Sequence, residues 1–404
     1  MRRDDQVNTD RKNVAILIRA LDHGGAERCA SNMSFDLSKY YNVHLIVFDG
    51  RERMYPYAGT LHDLNLLPRD GLFHKAVNIW KRSRAVRKIK KECHIDCCIS
   101  LLDGANIVNA FSKGNEVNIV SIRNYVSARK LGIVDKLQLQ YYCAKADKVV
   151  ALSKTVGLDL IDNYNVKANK VTVIYNSVDS ERLLRLSGES LVAPFAFPYI
   201  TTMGRLTRQK GHSYLLRAFT KVVEAHPELK LVILGQGEDE ALLKQLTKRL
   251  GIEQNVVFPG YIKNPHNIIA NSRFFVMSSV FEGLGNVILE AMACGKLVVS
   301  TDCLAGPREI LAPNSDLRKT NIGLHEPEYA EYGILVPAFP NEESDFSRAN
   351  LSREENVFAD TMNRLLDHPD IIHQYETKSL ERVGDFAAEK ITDDWLRVIE
   401  EKQR

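Results

Sequence analysis

Residues 278–311, SSVFEGLGNVILEAMACGKLVVSTDCLAGPREIL, form the most informative stretch of the chain. Two glutamates, Glu282 and Glu290, bracket a glycine turn at 283–285 that leads into an apolar helical pattern. A glycine turn at a helix start binds anions, because unpaired backbone N–H groups and the helix dipole both face the ligand. A bare phosphate would repel the neighbouring carboxylates, which suit hydroxyl groups better. The stretch therefore predicts a ligand that carries both phosphates and sugar hydroxyls.

Outward from this stretch, short β-rich runs alternate with helical patterns, which predicts parallel sheets covered by helices on both faces. The series stops at 183–198, a segment rich in turn formers, and then restarts. A chain of 404 residues is also too long for one ordinary core. We therefore expect an α/β fold of two doubly wound, Rossmann-like domains whose parallel sheets face a central cleft. The expected domains are residues 1–190 and 191–375, followed by a helical tail at 376–404 that packs back on the first domain.

The cysteines and the apolar runs limit the class of protein. Seven scattered cysteines, an odd number, do not favour a disulfide framework. Cys93, His94, Cys97 and Cys98 could be taken for a metal cluster, but no second pair exists, and we interpret them as buried thiols. No apolar run approaches the roughly 18 residues of a membrane span, and residues 1–10 are charged rather than signal-like. We expect a cytoplasmic location, either in solution or peripheral on the inner face of the cell membrane.

Charge is distributed unevenly along the chain. Residues 1–190 hold 30 Lys and Arg against 21 Asp and Glu, a balance of +9, whereas residues 191–404 hold 24 against 30, a balance of −6. Much of the excess lies at 74–91, HKAVNIWKRSRAVRKIKK, which has eight Lys and Arg and no acid. This segment fits either a solvated helix packed through its few apolar residues or an interfacial helix on anionic lipid headgroups. Nothing in the composition points to nucleic acid as a partner.

Several loops that follow predicted strands carry candidate ligand groups. Gly24 and Gly25 allow close backbone approach just before a helix, although such a turn is often only a connection. Arg205 and Lys210 lie on a loop before another helix, where two cations and helix N–H groups suit a diphosphate. A further tight turn begins at Gly235. Tyr261 follows the next strand and could stack on a base or pack as an ordinary aromatic.

These segments, in this order, resemble the family-4 retaining glycosyltransferases of the GT-B fold. The matching segments are GGAER at 24–28, YNSVD at 175–179, GRLTRQKG at 204–211, GQGE at 235–238, FPGY at 258–261, FEGLGNVILEAMACGKLVVSTD at 281–302 and GPREI at 306–310. The spacing of Glu282 and Glu290 is the signature of that family. Transferases of capsule, exopolysaccharide and lipopolysaccharide synthesis look especially similar around 301–311.

The resemblance implies a role for each matching residue on the donor side. Glu290 would hold the ribose, Glu282 would contact donor-sugar hydroxyls, and Arg205 with Lys210 would neutralise the leaving nucleoside diphosphate. It also implies retention of the anomeric configuration and no metal or other cofactor. The implied catalytic residues are Arg205, Lys210 and Glu282, and the implied donor-binding residues are Gly235, Tyr261, Gly283, Leu284, Gly285, Asn286 and Glu290.

The first domain departs from the family pattern. Many relatives place a histidine there near the donor sugar, but the comparable stretches at 100–106 and 121–124 contain none. Their polar residues could contact the acceptor or the sugar, or they could merely cap loops. The acceptor-side candidates are Gly24, Gly25, Asp103, Asn106, Arg123 and Asn124.

The leading hypothesis is transfer of a hexose or N-acetylhexosamine from a nucleotide sugar to a glycan or polyprenyl-diphosphate-linked acceptor in surface polysaccharide synthesis. A UDP-linked donor is expected from its frequency in the family. Two alternatives stay open: a sugar-nucleotide epimerase on a similar fold, which would need no acceptor, and a non-catalytic partner subunit that keeps the fold.

Overall fold

The computed structural model describes residues 11–22, 24–51, 54–67, 71–129, 131–189, 195–319, 324–340 and 350–401. Its residue contacts divide the chain into two compact units. The first consists of the described parts of 1–177 and 388–404, and the second of the described parts of 178–387.

The first unit contains a seven-stranded sheet in the order β3-β2-β1-β4-β5-β6-β7, with every neighbouring pair parallel. Its central strands are nearly continuous apolar runs because both faces are covered, as the fully buried residues of β1 illustrate. The strands are β1 (Asn13–Ile18), β2 (Asn42–Val47), β3 (Thr60–Asp63), β4 (Cys97–Leu101), β5 (Val117–Ile122), β6 (Lys148–Ala151) and β7 (Val171–Val173). The helices between them are α1 (Gly25–Ser38), α2 (Leu72–Glu92), α3 (Asp103–Phe111), α4 (Ile133–Lys145) and α5 (Lys154–Tyr164).

The second unit contains another seven-stranded sheet, in the order β10-β9-β8-β11-β12-β14-β13. All of its neighbouring pairs are parallel except the edge pair of β13 and β14. The strands are β8 (Tyr199–Met203), β9 (Lys230–Leu234), β10 (Val256–Gly260), β11 (Phe275–Met277), β12 (Val298–Thr301), β13 (Glu328–Tyr329) and β14 (Ile334–Val336). The helices are α6 (Ser180–Ser187), α7 (His212–Ala225), α8 (Glu240–Arg249), α9 (His266–Asn271), α10 (Asn286–Ala293), α11 (Pro307–Leu311), α12 (Arg353–Asp367) and α13 (Pro369–Val383).

The chain returns to the first unit through a last helix, α14 (Ala388–Glu400). Its residues Ile391, Trp395, Val398 and Ile399 are buried in the core that includes β1, β2 and β4. The Tyr41 hydroxyl donates a 3.1 Å hydrogen bond to Oε1 of the Glu400 carboxylate. The C-terminal helix is therefore part of the first unit's hydrophobic core rather than an appendage.

The fold class expected from the sequence, two doubly wound α/β sheets, is confirmed. The boundary differs in detail. Residues 183–187, taken as part of a turn-rich linker, belong to α6, whose first turn is capped by the Asp179 side chain accepting from the N–H of Arg182. Residues 178–189 belong to the second unit. The tail that returns to the first unit starts at 388 rather than at the expected 376. Residues 190–194 of the expected linker lie outside the described part of the chain. None of the helices in the described ranges is long and apolar enough to cross a bilayer.

Candidate active site

The second sheet reverses its strand order between β8 and β11, so the chain leaves these two neighbouring strands in opposite lateral directions. Ligands of doubly wound sheets bind beyond the carboxyl ends of the strands at this switch point. The loop at 204–211 follows β8, and the turn at 278–285 follows β11. The topology therefore brings together the two segments that carry the predicted catalytic residues.

These two segments are bound to each other by backbone contacts. A Cβ on Gly211, which has φ +62°, would lie 2.1 Å from the carbonyl oxygen of Ser278. The Ser278 hydroxyl donates to the Lys210 carbonyl at 2.8 Å, and the N–H of Val280 donates to the Gln209 carbonyl at 2.8 Å. A glycine at 211 is required by this close approach, which fixes the position of Lys210.

Lys210 and Glu282 form an ion pair at this junction. Nζ of Lys210 lies 2.5 Å from Oε1 of Glu282, and the Ser279 hydroxyl donates to the same oxygen at 2.7 Å. The two charged side chains are 19% and 8% exposed. The sequence interpretation assigned Lys210 and Glu282 to different parts of a ligand, whereas in the structure the two side chains pair with each other. Arg205 lies on the same loop with its side chain exposed.

The glycine turn before α10 presents unpaired backbone donors. Gly285 has φ +85° and precedes the first helical residue, Asn286. Among the described residues, the N–H groups of Gly283, Leu284 and Gly285 donate to no acceptor. The turn is held from behind, because the N–H of Glu282 donates to the Leu304 carbonyl at 2.9 Å and a Cβ on Gly306 would lie 2.0 Å from the Leu284 carbonyl. Such a rigid set of donors suits an anionic ligand.

Glu290 lies in α10 and is held by a histidine that the sequence interpretation missed. Nε2 of His266 lies 3.1 Å from Oε2 of the Glu290 carboxylate, and both side chains are nearly buried. Nδ1 of His266 faces Oδ1 of Asn264 at 3.3 Å. Each ring nitrogen thus faces a side-chain oxygen, and the two contacts together orient the imidazole beside Glu290. The sequence carries only a weak signal for this role. His266 begins a short helix and lies 24 positions before Glu290, so nothing local links the two residues.

His212, the first residue of α7, is a second histidine beside this site. It is buried, and burial together with the smaller effect of the nearby Lys210 charge lowers its pKa to about 3. Its Nδ1 has no hydrogen-bond partner among the described residues. His212 is therefore neutral at physiological pH, and it adds no charge beside the Lys210 ammonium.

The other two predicted donor-side residues occupy different environments. A Cβ on Gly235, at φ +133°, would lie 2.0 Å from the Gly204 carbonyl, so this glycine allows the loops after β8 and β9 to pack together. Tyr261 follows β10 and is 58% exposed. The structure thus gives Gly235 a packing role and leaves the Tyr261 side chain largely exposed.

Within the first unit, Arg123 is the most unusual of the predicted acceptor-side residues. It follows β5, is 6% exposed, and donates to Oδ1 of Asn176 and, at 3.4 Å, to the Ser121 hydroxyl. It makes no ion pair with a carboxylate of the described residues, and its Nε is buried without a partner. Burial raises the pKa of the Cys29 thiol, while the Arg123 charge opposes that rise. A buried guanidinium without a counter-charge is a candidate anion-binding group.

The remaining acceptor-side candidates differ in how accessible they are. Asp103 begins α3, is about half exposed, and accepts from Tyr142 at 2.8 Å and from Arg129 at 2.7 Å. Asn106 is fully buried: its Oδ1 accepts from Ser100, and its Nδ2 donates to the Ser121 carbonyl. Its side chain therefore joins β4 to β5 and faces no ligand, unlike the sequence prediction.

Three other candidates lie at the ends of elements. Gly24 and Gly25 precede and begin α1, and Asn124 is half-buried beside Arg123. These positions are accessible to a ligand, and their predicted role in acceptor or sugar binding stays a prediction.

The second of the two doubly wound sheets carries unpaired backbone donors and a lysine–glutamate pair at its switch point, groups that suit phosphorylated, hydroxyl-rich ligands. The chain belongs to the glycosyltransferases: residues 23–182 match the family described as Glycosyltransferase Family 4, and residues 190–330 match Glycosyl transferases group 1. The resemblance found in the sequence is confirmed.

Individual relatives agree with this assignment. An uncharacterized glycosyltransferase of Methanocaldococcus jannaschii is 33% identical over 343 residues, which cover 80% of this chain and 83% of the relative. An N-acetylgalactosamine-N,N'-diacetylbacillosaminyl-diphospho-undecaprenol 4-alpha-N-acetylgalactosaminyltransferase of Campylobacter jejuni is 27% identical over 96% of this chain and 99% of its own. Among solved structures, HepE of Anabaena in complex with UDP and glucose superposes with a TM-score of 0.72 at 17% identity, covering 97% of this chain and 100% of that one. The fold is the GT-B fold.

Proposed function

We propose that the protein transfers a hexose or N-acetylhexosamine from a UDP-sugar to a glycan or polyprenyl-diphosphate-linked acceptor, with retention of the anomeric configuration, in surface polysaccharide synthesis. The Lys210–Glu282 pair beside the unpaired donors at 283–285 carries this proposal. The UDP of the HepE complex and the diphospho-undecaprenol in the name of the Campylobacter jejuni relative support the choice of donor and acceptor.

The charge distribution of the site supports a departing nucleoside diphosphate. When the bond between sugar and phosphate breaks, negative charge develops on the leaving group, and fixed donors stabilise it as it forms. Lys210, Arg205 and the amino end of α10 supply positive charge within the second unit. These groups can act without a divalent metal. Adding Mg²⁺ or Mn²⁺ to metal-free protein should accordingly leave kcat unchanged, and a strict requirement for either ion would contradict this part.

The two glutamates suit the two hydroxyl-bearing parts of the donor. Oε1 of Glu282 is occupied by Lys210 and Ser279, whereas Oε2 makes no hydrogen bond with a described residue and can accept from a sugar hydroxyl. Glu290 lies five residues beyond Gly285, roughly 7–8 Å along the axis of α10, which is a suitable step from a diphosphate to its ribose. His266 holds the Glu290 carboxylate in place for that contact.

For the acceptor, the buried guanidinium of Arg123 suits the diphosphate of a lipid-linked saccharide. Arg123 pairs with no carboxylate in the described ranges, and an oxygen of a bound phosphate would supply the missing counter-charge. Asp103, Asn124 and the start of α1 at Gly24 and Gly25 are the groups proposed to meet acceptor hydroxyls.

A membrane-facing surface on the first unit supports a lipid-linked acceptor. On α2, Trp80 is 56% exposed with the Arg84 guanidinium 4.9 Å above its ring, and further exposed cations follow the helix. The exposed cations at 81–91 are Lys81, Arg84, Arg87, Lys88 and Lys91, whereas Lys90 is buried in an ion pair with Glu116. The basic residues therefore form an exposed face, which suits anionic lipid headgroups.

An apolar patch continues this basic face. Ile133, Val134 and Leu137 of α4 are 82%, 61% and 60% exposed. The ring of Tyr141, one turn further on, packs 5.0 Å from that of Phe111, whose carbonyl accepts from Arg87 of α2 at 2.7 Å. An exposed apolar patch beside a basic face is typical of a protein that lies on a membrane surface.

Vesicle flotation tests the membrane part of the proposal. The protein should float with anionic vesicles at moderate salt. The double variant Arg84→Glu, Lys88→Glu should float less, and so should the single variant Leu137→Ser. Lys244→Glu on α8, in the second unit, is the matched charge control and should float normally. No flotation of the wild-type protein would contradict the membrane part without affecting the donor site.

The transfer itself is tested with purified protein, a panel of nucleotide sugars and a polyprenyl-diphosphate-linked saccharide. A thermal-shift panel first identifies the nucleotide sugar, because a bound donor raises stability by mass action. Release of UDP should then depend on the acceptor and fall in Glu282→Gln. Conversion of the nucleotide sugar without acceptor would instead favour an epimerase, and the absence of any conversion would favour a non-catalytic subunit.

A further inference from the structure

Two histidines and one cysteine of the first unit converge at the edge of its sheet. His44 lies on β2, His62 on the edge strand β3, and Cys93 directly follows α2. Nδ1 of His44 lies 3.0 Å from Nε2 of His62, and Sγ of Cys93 lies 4.0 Å from that same Nε2. The potential ligand atoms of all three side chains lie within 4.8 Å of one another.

The convergence follows from the register of the sheet. His44 pairs with Thr60 and Ile46 with His62, so both histidines lie on one face of adjacent parallel strands. Their rings stack with centroids 5.3 Å apart and an interplanar angle of 21°. Cys93 is the C-cap of α2, and its N–H donates to the Ile89 carbonyl at 2.9 Å. The end of the helix thus delivers the thiol to the two imidazoles.

We propose that His44, His62 and Cys93 bind one Zn²⁺ ion. Two imidazole nitrogens and one thiolate are a ligand set that zinc prefers. Tetrahedral zinc with bonds of about 2.0–2.1 Å to nitrogen and 2.3 Å to sulfur holds its ligands roughly 3.3 Å (N to N) and 3.6 Å (N to S) apart. The observed His44–His62 and His62–Cys93 separations of 3.0 and 4.0 Å need to change by only a few tenths of an ångström. The ligand atoms of His44 and Cys93, which lie within 4.8 Å of each other, must also come to about 3.6 Å. A water molecule can complete the coordination.

Zinc binding displaces the proton of the Cys93 thiol and uses the unprotonated nitrogen of each imidazole. In the observed contact one imidazole donates to the other, so metal binding requires the ring proton to lie on Nε2 of His44 and on Nδ1 of His62. Both His62 and Cys93 are partly exposed, which gives an ion access to the site.

This site is different from the cluster that the sequence suggested. Cys97 and Cys98 are buried in β4, and the backbone at His94 has φ +47° and leaves its side chain exposed. Only Cys93 of that group joins the proposed ligands. The zinc site contains none of the residues assigned to sugar transfer, and it would fasten the edge strand β3 to the end of α2.

Cobalt titration of metal-free protein tests the proposal, because Co²⁺ replaces Zn²⁺ and is coloured. One equivalent of Co²⁺ should produce the visible bands of a four-coordinate site and a near-ultraviolet thiolate charge-transfer band, and Zn²⁺ should abolish both. Cys93→Ser should remove the charge-transfer band although six other cysteines remain. His62→Ala should weaken binding at least tenfold, since even outer-shell changes cost about 10–100-fold. His373→Ala, at an exposed histidine of α13, is the matched control and should bind like wild type.

A second measurement keeps the proposal testable if a variant fails to fold. In the wild-type protein, one equivalent of Zn²⁺ should slow alkylation of Cys93 by iodoacetamide, read by peptide mass spectrometry, and should raise the thermal midpoint of unfolding. Circular dichroism of each metal-free variant establishes that it is folded. A charge-transfer band that persists in folded Cys93→Ser, or wild-type protein that shows neither a cobalt band nor zinc protection of Cys93, would overturn the assignment and leave an ordinary histidine–histidine hydrogen bond.

Discussion

Replacing Lys210 by methionine removes the cation that lies 2.5 Å from Oε1 of Glu282 and leaves that carboxylate without its counter-charge. Breaking a buried pair costs about 3–5 kcal/mol and an exposed pair about 0–1 kcal/mol, so we expect about 2–3 kcal/mol of coupling for side chains 19% and 8% exposed. Losing a fixed cation at a leaving phosphate should lower kcat by about 10²–10³-fold.

A double-mutant cycle on the free energy of unfolding measures the coupling, and kinetics on the same variants measure the loss of activity. Lys210→Met, Glu282→Gln and the double variant are compared with wild type by acceptor-dependent UDP release, and kcat/KM values are converted to free energies. Because the pair acts as one unit, the double variant should lose about as much activity as Lys210→Met alone. The matched control is the exposed pair of Lys244 and Glu240 on α8, with Nζ and Oε1 2.7 Å apart, whose removal should leave kcat/KM unchanged. A Lys210→Met enzyme with wild-type kcat/KM, or single losses that simply add, would refute the reasoning.

Three further changes give separate readouts. His266→Phe should raise KM for the donor about tenfold with little change in kcat, because it releases Glu290 from its 3.1 Å contact, whereas His373→Ala should alter neither value; an unchanged donor KM would contradict the positioning role. Arg123→Met should raise the acceptor KM and leave UDP binding by thermal shift intact, and equal effects on both substrates would contradict an acceptor role. Because burial lowers the pKa of His212 from its usual 6.5 to about 3 in the folded protein, protonation favours the unfolded chain, and stability is lost as pH falls below 6.5. Between pH 7 and pH 5 His212 accounts for about 2 kcal/mol of that loss. Folded His212→Asn should show a correspondingly shallower loss by denaturant unfolding, and the same slope as wild type would show that His212 is not the source.

The strands of the two sheets could be predicted where burial on both faces leaves a continuous apolar run. The residues of β1 are such a run, with five of the six from Asn13 to Ile18 buried. The edge strand β3, with the sequence TLHD and half-exposed side chains, and the two-residue β13 carry no such signal and were missed. Edge strands form through pairing with a neighbour, and their own composition says little about it.

The donor site was predicted as a set of segments, but its pairing was not. Lys210 and Glu282 are 72 positions apart, and only the adjacency of β8 and β11 makes them partners. His266 was missed for the same reason. Asn106, which is polar and follows a strand, was a candidate either for acceptor or sugar contact or for loop capping. Both ends of its amide are satisfied by β4 and β5. A sequence shows which residues are polar, while the fold decides whether they face a ligand or one another.

Transfer of labelled sugar tests the central claim most directly. Purified protein is incubated with the nucleotide sugar that gives the largest thermal shift and with a polyprenyl-diphosphate-linked saccharide, and label in the lipid fraction is followed over time. We predict label in the lipid with one UDP released per sugar transferred, and a loss of about 100-fold or more in Lys210→Met. Label that never enters the lipid although the donor binds, or equal transfer by wild type and Lys210→Met, would contradict the claim that the second unit's Lys210–Glu282 site performs sugar transfer.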